Sequence, residues 1–355
     1  MKTQTELIAI LKRICETPAP TFAETQRAAL LASYFEAAGL KPHLDRVGNV
    51  LAEVEGQGPR LLLAVHLDTV FSAETDVTVR ECGSRLCAPG IGDNSASLSV
   101  LVYYLQNLAK HPKRPNLTVA ATVGEEGLGD LYGMRELMKE AQNYDMMLAL
   151  DGHLDYIVDQ AVGSKRYEVN ISAKGGHSWG DFPSPSALHA LGDIISQLNH
   201  LPIPSQPRSS YNIGQVRGGS SINAIAEQAY FNLDLRSIEA ETLQFLNDKA
   251  LSIIEQQGKK HQVSLDIKQV GDRPTGQSDN ISMVKAAKKA LKSLDIEAKC
   301  TASSTDANAA MAVALPAITF GVYHGGDAHR LSEWMEPASM VTGYKALVKL
   351  LAELC

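Results

Sequence analysis

The sequence predicts an α/β protein: a mixed sheet flanked by helices, interrupted by an inserted α+β unit of ferredoxin-like, β-α-β-β-α-β order. Three observations carry this expectation. The 355 residues exceed the size at which one hydrophobic core usually stops growing. Short apolar bursts alternate with helical patterns as far as Val162-Gly163. The rhythm then changes to strand, helix, strand, strand, helix, strand, and the first pattern resumes near residue 272.

In chain order, Leu7, Ile10, Leu11 and Ile14 recur at helical spacing, and a second helical pattern over about 24–38 stops at Gly39. The segments NVLAEVEG, LLLAVH, LTVAATV and MMLALD read as strands, alternating with helices over about 94–110 and 130–141. In the insert, YEVNISAK, YNIGQVRG, QAYFNLDLRS and QVSLDIKQ are strands, and about 186–199 and 240–257 are helices. Beyond it, the helical NISMVKAAKKALKSL and the apolar ALPAITFGV complete the first domain. The expected domains are 1–163 with 272–355, and 164–271.

A net charge of −7 argues against a nucleic-acid partner, which needs a basic face to neutralise phosphates. No stretch approaches the roughly 20 apolar residues of a membrane span, and the first residues lack a signal-peptide pattern. Cys15, Cys82, Cys87, Cys300 and Cys355 form an odd set without zinc-knuckle spacing, which fits a reducing, cytoplasmic setting. Cys82 and Cys87 flank the turn pair Gly83-Ser84 and can face each other across a hairpin; without a secretory signal they are expected as two thiols.

Five groups of acidic and imidazole side chains fall at strand ends, where an α/β sheet places its ligand crevice. His66 ends LLLAVH, and Asp68, two residues on, projects to the same side, placed to fix the tautomer of a ligating imidazole. Asp93 follows Gly90 and Gly92 just ahead of a helix, where a helix N-cap is the ordinary alternative. Glu125 and Glu126 end a buried strand; either they lie exposed in a turn or cations offset their charge. Asp151 follows the apolar MMLAL, with His153 close behind. YHGGDAHRLSEW carries His324, Asp327, His329 and Glu333. Each group has an innocent explanation alone, but together they offer enough nitrogen and oxygen ligands for two cations. A His and carboxylate set without Cys suits zinc, manganese or cobalt in a hydrolytic role.

These residues are arranged in a pattern that resembles the metallopeptidases that include peptidase T, carnosine dipeptidase, glutamate carboxypeptidase, acetylornithine deacetylase and succinyl-diaminopimelate desuccinylase. The likeness runs through VGNVLAEVEG, HLDTV, GIGDN, GEEG, ALDG, GGHSWG, GGSSINAIAE, LDLRS, SSTDAN and HRLSE, nearly the whole chain. It implies that the first domain is catalytic and that the insert is a lid and dimerisation domain. His66 and Asp151 then hold one divalent ion, Glu126 and His329 the other, and Asp93 bridges them. Zinc is expected first, with manganese or cobalt as alternatives. Glu125 becomes the general base and the Asp93-Asn94 peptide is expected to be cis. His177 matches a lid histidine that, in dimeric members, steadies the oxyanion in the other subunit. Asn223 and Arg236 match substrate-binding lid residues. Two departures stand out. Asn94-Ser95-Ala96-Ser97 replaces the Lys, Arg or Gly that many relatives carry after the bridging Asp. His324 competes with His329, which is preferred because Glu333 lies four residues beyond it. Aspartate at position 151 favours a di- or tripeptidase of aminopeptidase type; an N-acyl amino-acid deacylase is the alternative, and a metal-free binding protein a third reading.

Overall fold

The computed structural model describes residues 2–355 and divides into two compact units. One runs to Ala161 and resumes over Gly276–Cys355; the other is Val162–Thr275. The insert expected at 164–271 is therefore slightly longer in the structure. Its last strand, Ser264–Arg273, carries pairing past residue 271 with a register shift between Gln269 and Gly271.

The first unit is built on an eight-stranded mixed sheet ordered His43–Leu44, Val50–Val54, Asn116–Thr122, Arg60–His66, Met146–Leu150, Ala317–Phe320, Tyr156–Ala161 and Lys299–Ser303. Alternation along Arg60–His66 explains why its sequence is apolar throughout. Leu61, Leu63 and Val65 face one core with residues of the helices Lys2–Cys15, Thr25–Ala37, Ser97–Gln106, Ile281–Lys292 and Pro337–Glu353. Leu62 and Ala64 face the other, with residues of the helices Tyr132–Leu137 and Ala307–Ala312. Both faces are dry, so the strand needs no polar side chain until it ends at His66.

Among the elements of this unit absent from the sequence reading are the strands Tyr156–Ala161 and Lys299–Ser303 and the helices Ala307–Ala312 and Pro337–Glu353. The helix expected from residue 94 starts only at Ser97, because Asp93 and Asn94 take non-helical backbone angles. Cys82 and Cys87, expected as separate thiols, are joined as a disulfide. The hairpin register pairs Cys82 with Arg85 and Arg80 with Cys87, so the two cysteines are diagonal neighbours on one face, with Cα atoms 6.2 Å apart.

The second unit has the expected β-α-β-β-α-β order. Its sheet runs Ser209–Asn212, Gln228–Ser237, Gly163–Ser172, Ser264–Arg273, all antiparallel, and the helices Ala187–Leu198 and Ala240–Lys260 cover Tyr167, Val169, Ile171, Phe231, Leu233 and Leu235. The single strand expected from YNIGQVRG is split into Ser209–Asn212 and Val216–Gly218. The Asn232 side-chain oxygen accepts the Gly214 and Gln215 amides at 3.0 and 2.9 Å and takes them out of the ladder. Among the described residues, no helix of the chain is long and apolar enough to cross a membrane.

Candidate metal centre

Parallel register gathers the site. Arg60–His66 lies between Asn116–Thr122 and Met146–Leu150 and runs parallel to both, with His66 level with Thr122. His66 therefore ends its strand beside the segment that continues to Glu125 and Glu126, and beside the strand that continues to Asp151. Asp93 arrives on a turn, and its peptide to Asn94 is cis, as the resemblance implied. His329 arrives on a loop in which Asp327 and His329 themselves take left-handed backbone conformations, φ 58° and 65°. Non-glycine residues rarely adopt that region, and they concentrate at functional sites.

The side chains meet in three overlapping groups: His66, Asp93 and Asp151; His66, Glu125 and Glu126; Asp93, Glu126 and His329. Within each group one potential ligand atom per residue lies within 4.8 Å of the others. Asp93 sits between the two histidines, with Oδ1 3.0 Å from His66 Nε2 and Oδ2 3.0 Å from His329 Nε2. His329 Nε2 is also 3.0 Å from Glu126 Oε1. Asp93 does not cap the following helix; its two oxygens face two different imidazoles. Of the late cluster, only His329 enters these groups among the described residues. The His324 amide is bonded to Ser339, and the Asp327 carboxylate accepts the Ser332 hydroxyl.

The electrostatics call for cations. Asp68, Glu125 and Glu126 are buried, and Asp93 and Asp151 are nearly so, an accumulation of negative charge that is costly in a low-dielectric interior. Burial and the neighbouring Asp93 charge push Asp151 up to about 7. Burial opposes ionisation of Asp93, yet the His329 and His66 imidazoles beside it hold its carboxyl far below the usual range. Hydrogen bonds to Asp93 and Glu126 lift His329 to about 11. His66 Nε2 and Asp93 Oδ1 are both buried without a hydrogen-bond partner: they are 3.0 Å apart, but not aligned for a hydrogen bond. Orphaned lone pairs aimed at one another, in a set of imidazole nitrogens and carboxylate oxygens, fit divalent ions of the zinc, manganese or cobalt type.

The surrounding groups hold the cage. The expected His66–Asp68 relation takes a different form: His66 Nδ1 is 3.1 Å from the carbonyl oxygen of Asp68 and 3.5 Å from its carboxylate. The carboxylate is engaged elsewhere. Its Oδ1 accepts the Glu125 amide at 3.0 Å, and its Oδ2 accepts the Glu126 amide at 2.9 Å and the Thr21 hydroxyl at 2.8 Å. Glu24, which sequence reasoning passed over, accepts the next amide along, that of Gly124, at 2.9 Å. Asn94, one of the departures from the family pattern, is buried and donates to the Leu150 carbonyl at 2.9 Å, tying the Asp93 turn to the strand that ends at Asp151. Arg27 is fully buried and donates to the Leu67 carbonyl at 2.8 Å, between His66 and Asp68. No local sequence pattern marks Glu24 or Arg27, since each acts on a segment far away in the chain.

His177, Asn223 and Arg236 belong to the second unit. His177 is exposed and pairs in register with Ala224, and the Ser178 amide donates to the Asn223 carbonyl at 2.9 Å, so His177 and Asn223 are neighbours. His177 Nδ1 accepts the amides of Trp179 and Gly180, both at 3.2 Å, which leaves Nε2 as the outward N–H donor. Arg236 lies on the long strand Gln228–Ser237, where its Nε donates to Asp234 at 2.8 Å.

Fold and cage together define a mixed α/β protein built to hold a pair of divalent cations among imidazole and carboxylate ligands. The chain belongs to peptidase family M20/M25/M40, whose family model matches residues 62–353. It is 36% identical over 122 residues, 34% of each chain, to a putative LysW-lysine/LysW-ornithine hydrolase of Pyrococcus abyssi. It is 24% identical over 251 residues to acetylornithine deacetylase of Edwardsiella ictaluri, covering 62% of each. The chain thus spans between about a third and two thirds of the length of these curated relatives. A tripeptidase from Staphylococcus aureus shares the fold, with a TM-score of 0.85 at 21% identity, over 99% of this chain and 98% of that one.

Proposed function

We propose that this protein hydrolyses an amide bond in a di- or tripeptide, with aminopeptidase action favoured. The observation that carries the reading is the pair of Asp93 oxygens, each facing a different histidine, with Glu125 and Glu126 in the same cage. In this reading His66 and Asp151 would hold one ion and Glu126 and His329 the other, with Asp93 shared between them; zinc is the first candidate. Bound divalent ions supply Lewis acidity that activates water and polarises an amide carbonyl. Glu125 takes the proton from the attacking water and passes it to the leaving nitrogen, acting as base and then acid. Its backbone amide donates to Asp68, and its side chain is buried. His177, with Nδ1 occupied as an acceptor, presents an Nε2–H donor suited to an oxyanion, a contact worth about 10²–10³ in rate in comparable sites. Asn223 and Arg236 bind the substrate's carbonyl or carboxylate groups.

The same proposal includes a lid role for the second unit, a homodimer formed through it, and a cytoplasmic setting. Its sheet has edge strands at Ser209–Asn212 and Ser264–Arg273, and pairing between subunits is one way such edges are covered. Light scattering at several concentrations reads the oligomeric state directly.

A second reading, an N-acyl amino-acid deacylase, is favoured by the likeness to acetylornithine deacetylase. The same ligands and the same base serve it. A panel of dipeptides, tripeptides and N-acetyl or N-succinyl amino acids, run with zinc, manganese and cobalt supplied in turn, separates the two. Turnover confined to the acylated compounds rejects the peptidase reading, and no turnover with any metal rejects both.

A further inference from the structure

Glu333 is buried to 1% exposure, yet it belongs to none of the candidate ligand groups. Its carboxylate is spent on backbone amides more than 200 residues away. Oε2 accepts Gly90 N at 2.9 Å, while Oε1 accepts Gly92 N at 2.8 Å and Asp93 N at 2.9 Å. Its own carbonyl accepts the Ala88 amide at 3.1 Å, and its own amide donates to Arg330 O at 3.1 Å, closing the turn that follows His329. Four hydrogen bonds therefore join the turn after His329 to the turn that carries Asp93.

The Asp93 turn is shaped for this clasp. Gly90 takes a left-handed φ of 72°, and a Cβ there would lie 2.8 Å from the Thr69 methyl. A Cβ on Gly92 would lie 2.7 Å from the Tyr323 hydroxyl. Both glycines let the amides converge on one acceptor while the turn packs closely. Burial of an anion with no cationic side chain bonded to it is unfavourable. A carboxylate held there at a cost to stability, with its acceptor capacity aimed at the backbone of the bridging aspartate, acts on that aspartate.

We infer that Glu333 is a positioning residue that clamps the Asp93 turn to the His329 turn, so that the bridging carboxylate and the far imidazole present their ligand atoms as one preset unit. The inference rests on the two-ion reading proposed above. A glutamine cannot replace this carboxylate. With Oε1 on Gly92 and Asp93, its NH2 group meets the Gly90 N–H, donor against donor; turned over, it strands the other two amides. Aspartate keeps the charge but is one methylene shorter. Outer groups that orient ligands are typically worth about 10–100-fold in metal affinity.

The test titrates metal-free protein with Co²⁺ and follows the visible d–d absorption, alongside thermal melting of the metal-free forms. The unaltered chain takes up two ions. Glu333→Gln is expected to bind the second ion about 10–100-fold more weakly, with an altered absorption spectrum. Glu333→Asp is expected to recover part of that loss. A role confined to stability lowers the melting temperature of the metal-free protein but leaves the spectrum and the spacing of the two affinities unchanged, and that result overturns the inference. Failure of both variants to fold overturns it in the same way. Fewer than two ions on the unaltered chain overturns the two-ion reading itself, a failure distinct from that of the clamp.

Discussion

Replacing Asp68 by asparagine changes one atom of a fully buried group, and the structure fixes what that atom does. Oδ1 accepts the Glu125 amide, and Oδ2 accepts the Glu126 amide and the Thr21 hydroxyl. In Asp68→Asn one of these oxygens becomes an NH2 donor that must face a backbone donor, so the Glu125 or the Glu126 amide is stranded whichever way the group turns. A buried donor left without an acceptor costs about 1–3 kcal/mol, and the surviving bonds fall from charge-assisted to neutral strength, a further loss of roughly 1 kcal/mol. The expected destabilisation is therefore about 2–4 kcal/mol, roughly 5–15 °C in Tm for a unit of this size. The same displacement moves the backbone that presents both glutamates, and turnover should fall about 10–100-fold, as when groups behind metal ligands are lost. Scanning calorimetry of the metal-free variant and steady-state kinetics with metal in excess read the two effects separately. A variant that melts within about 1 kcal/mol of the parent and turns over at the parental rate refutes the idea that Asp68 acts by holding this backbone.

Glu125→Gln removes the proposed base without removing a proposed ligand, so metal content should stay at two ions while kcat falls about 10²–10⁴-fold; substantial retained turnover rejects Glu125 as the base. His177→Ala should lower kcat about 10²–10³-fold and leave metal affinity unchanged, and a change in metal content instead reassigns the residue. For the metal-free protein, the pH dependence of stability has a definite sign. Burial raises Asp151 from 3.8 and Glu333 from 4.5, each to about 7, so both acids favour the folded state while protonated and penalise it once ionised. His329, raised from 6.5 to about 11, contributes stability that is full below 6.5 and is lost as pH climbs towards the folded value. The two acids lower stability as pH rises from about 4 to 7 and His329 does so above about 6.5, so the Tm of chelator-treated protein should fall between about pH 5 and pH 8. Added metal should reverse the trend, because ions bind deprotonated ligands; a metal-free Tm that rises over this interval contradicts the assignments.

What the sequence disclosed depended on how local each signal was. LLLAVH announced a strand buried on both faces, because six consecutive buried residues, Leu61 to His66, leave no position for a polar side chain before the end. The insert was legible because QAYFNLDLRS alternates, with Ala229, Phe231, Leu233 and Leu235 buried on one face. KCTAS at the sheet edge has neither pattern, only partial burial, so the strand Lys299–Ser303 exists by virtue of its parallel neighbour Tyr156–Ala161. The break within YNIGQVRG was also unreadable locally, since it is imposed by Asn232 from another strand.

The same division runs through the candidate site and has a chemical cause. The proposed ligands are imidazoles and carboxylates, so residue type marked a set of candidates, and the family resemblance picked His66, Asp93, Glu126, Asp151 and His329 from among them. A group that holds the ligands only has to accept a backbone amide at the right point in space. Any acid can do that, and nothing local separates Glu24 or Glu333 from the other glutamates of the chain. Glu333 was noticed only as a marker four residues beyond His329. Its partners at Gly90, Gly92 and Asp93 become visible once the fold closes more than 200 residues of chain. Asp68 shows how the two kinds of role can be confused: its spacing from His66 suggests a carboxylate serving the imidazole, yet its own carbonyl oxygen lies nearest the ring and the carboxylate serves the two glutamates. Spacing along a strand reports which side a residue faces, but three-dimensional competition among donors decides which of its atoms is used.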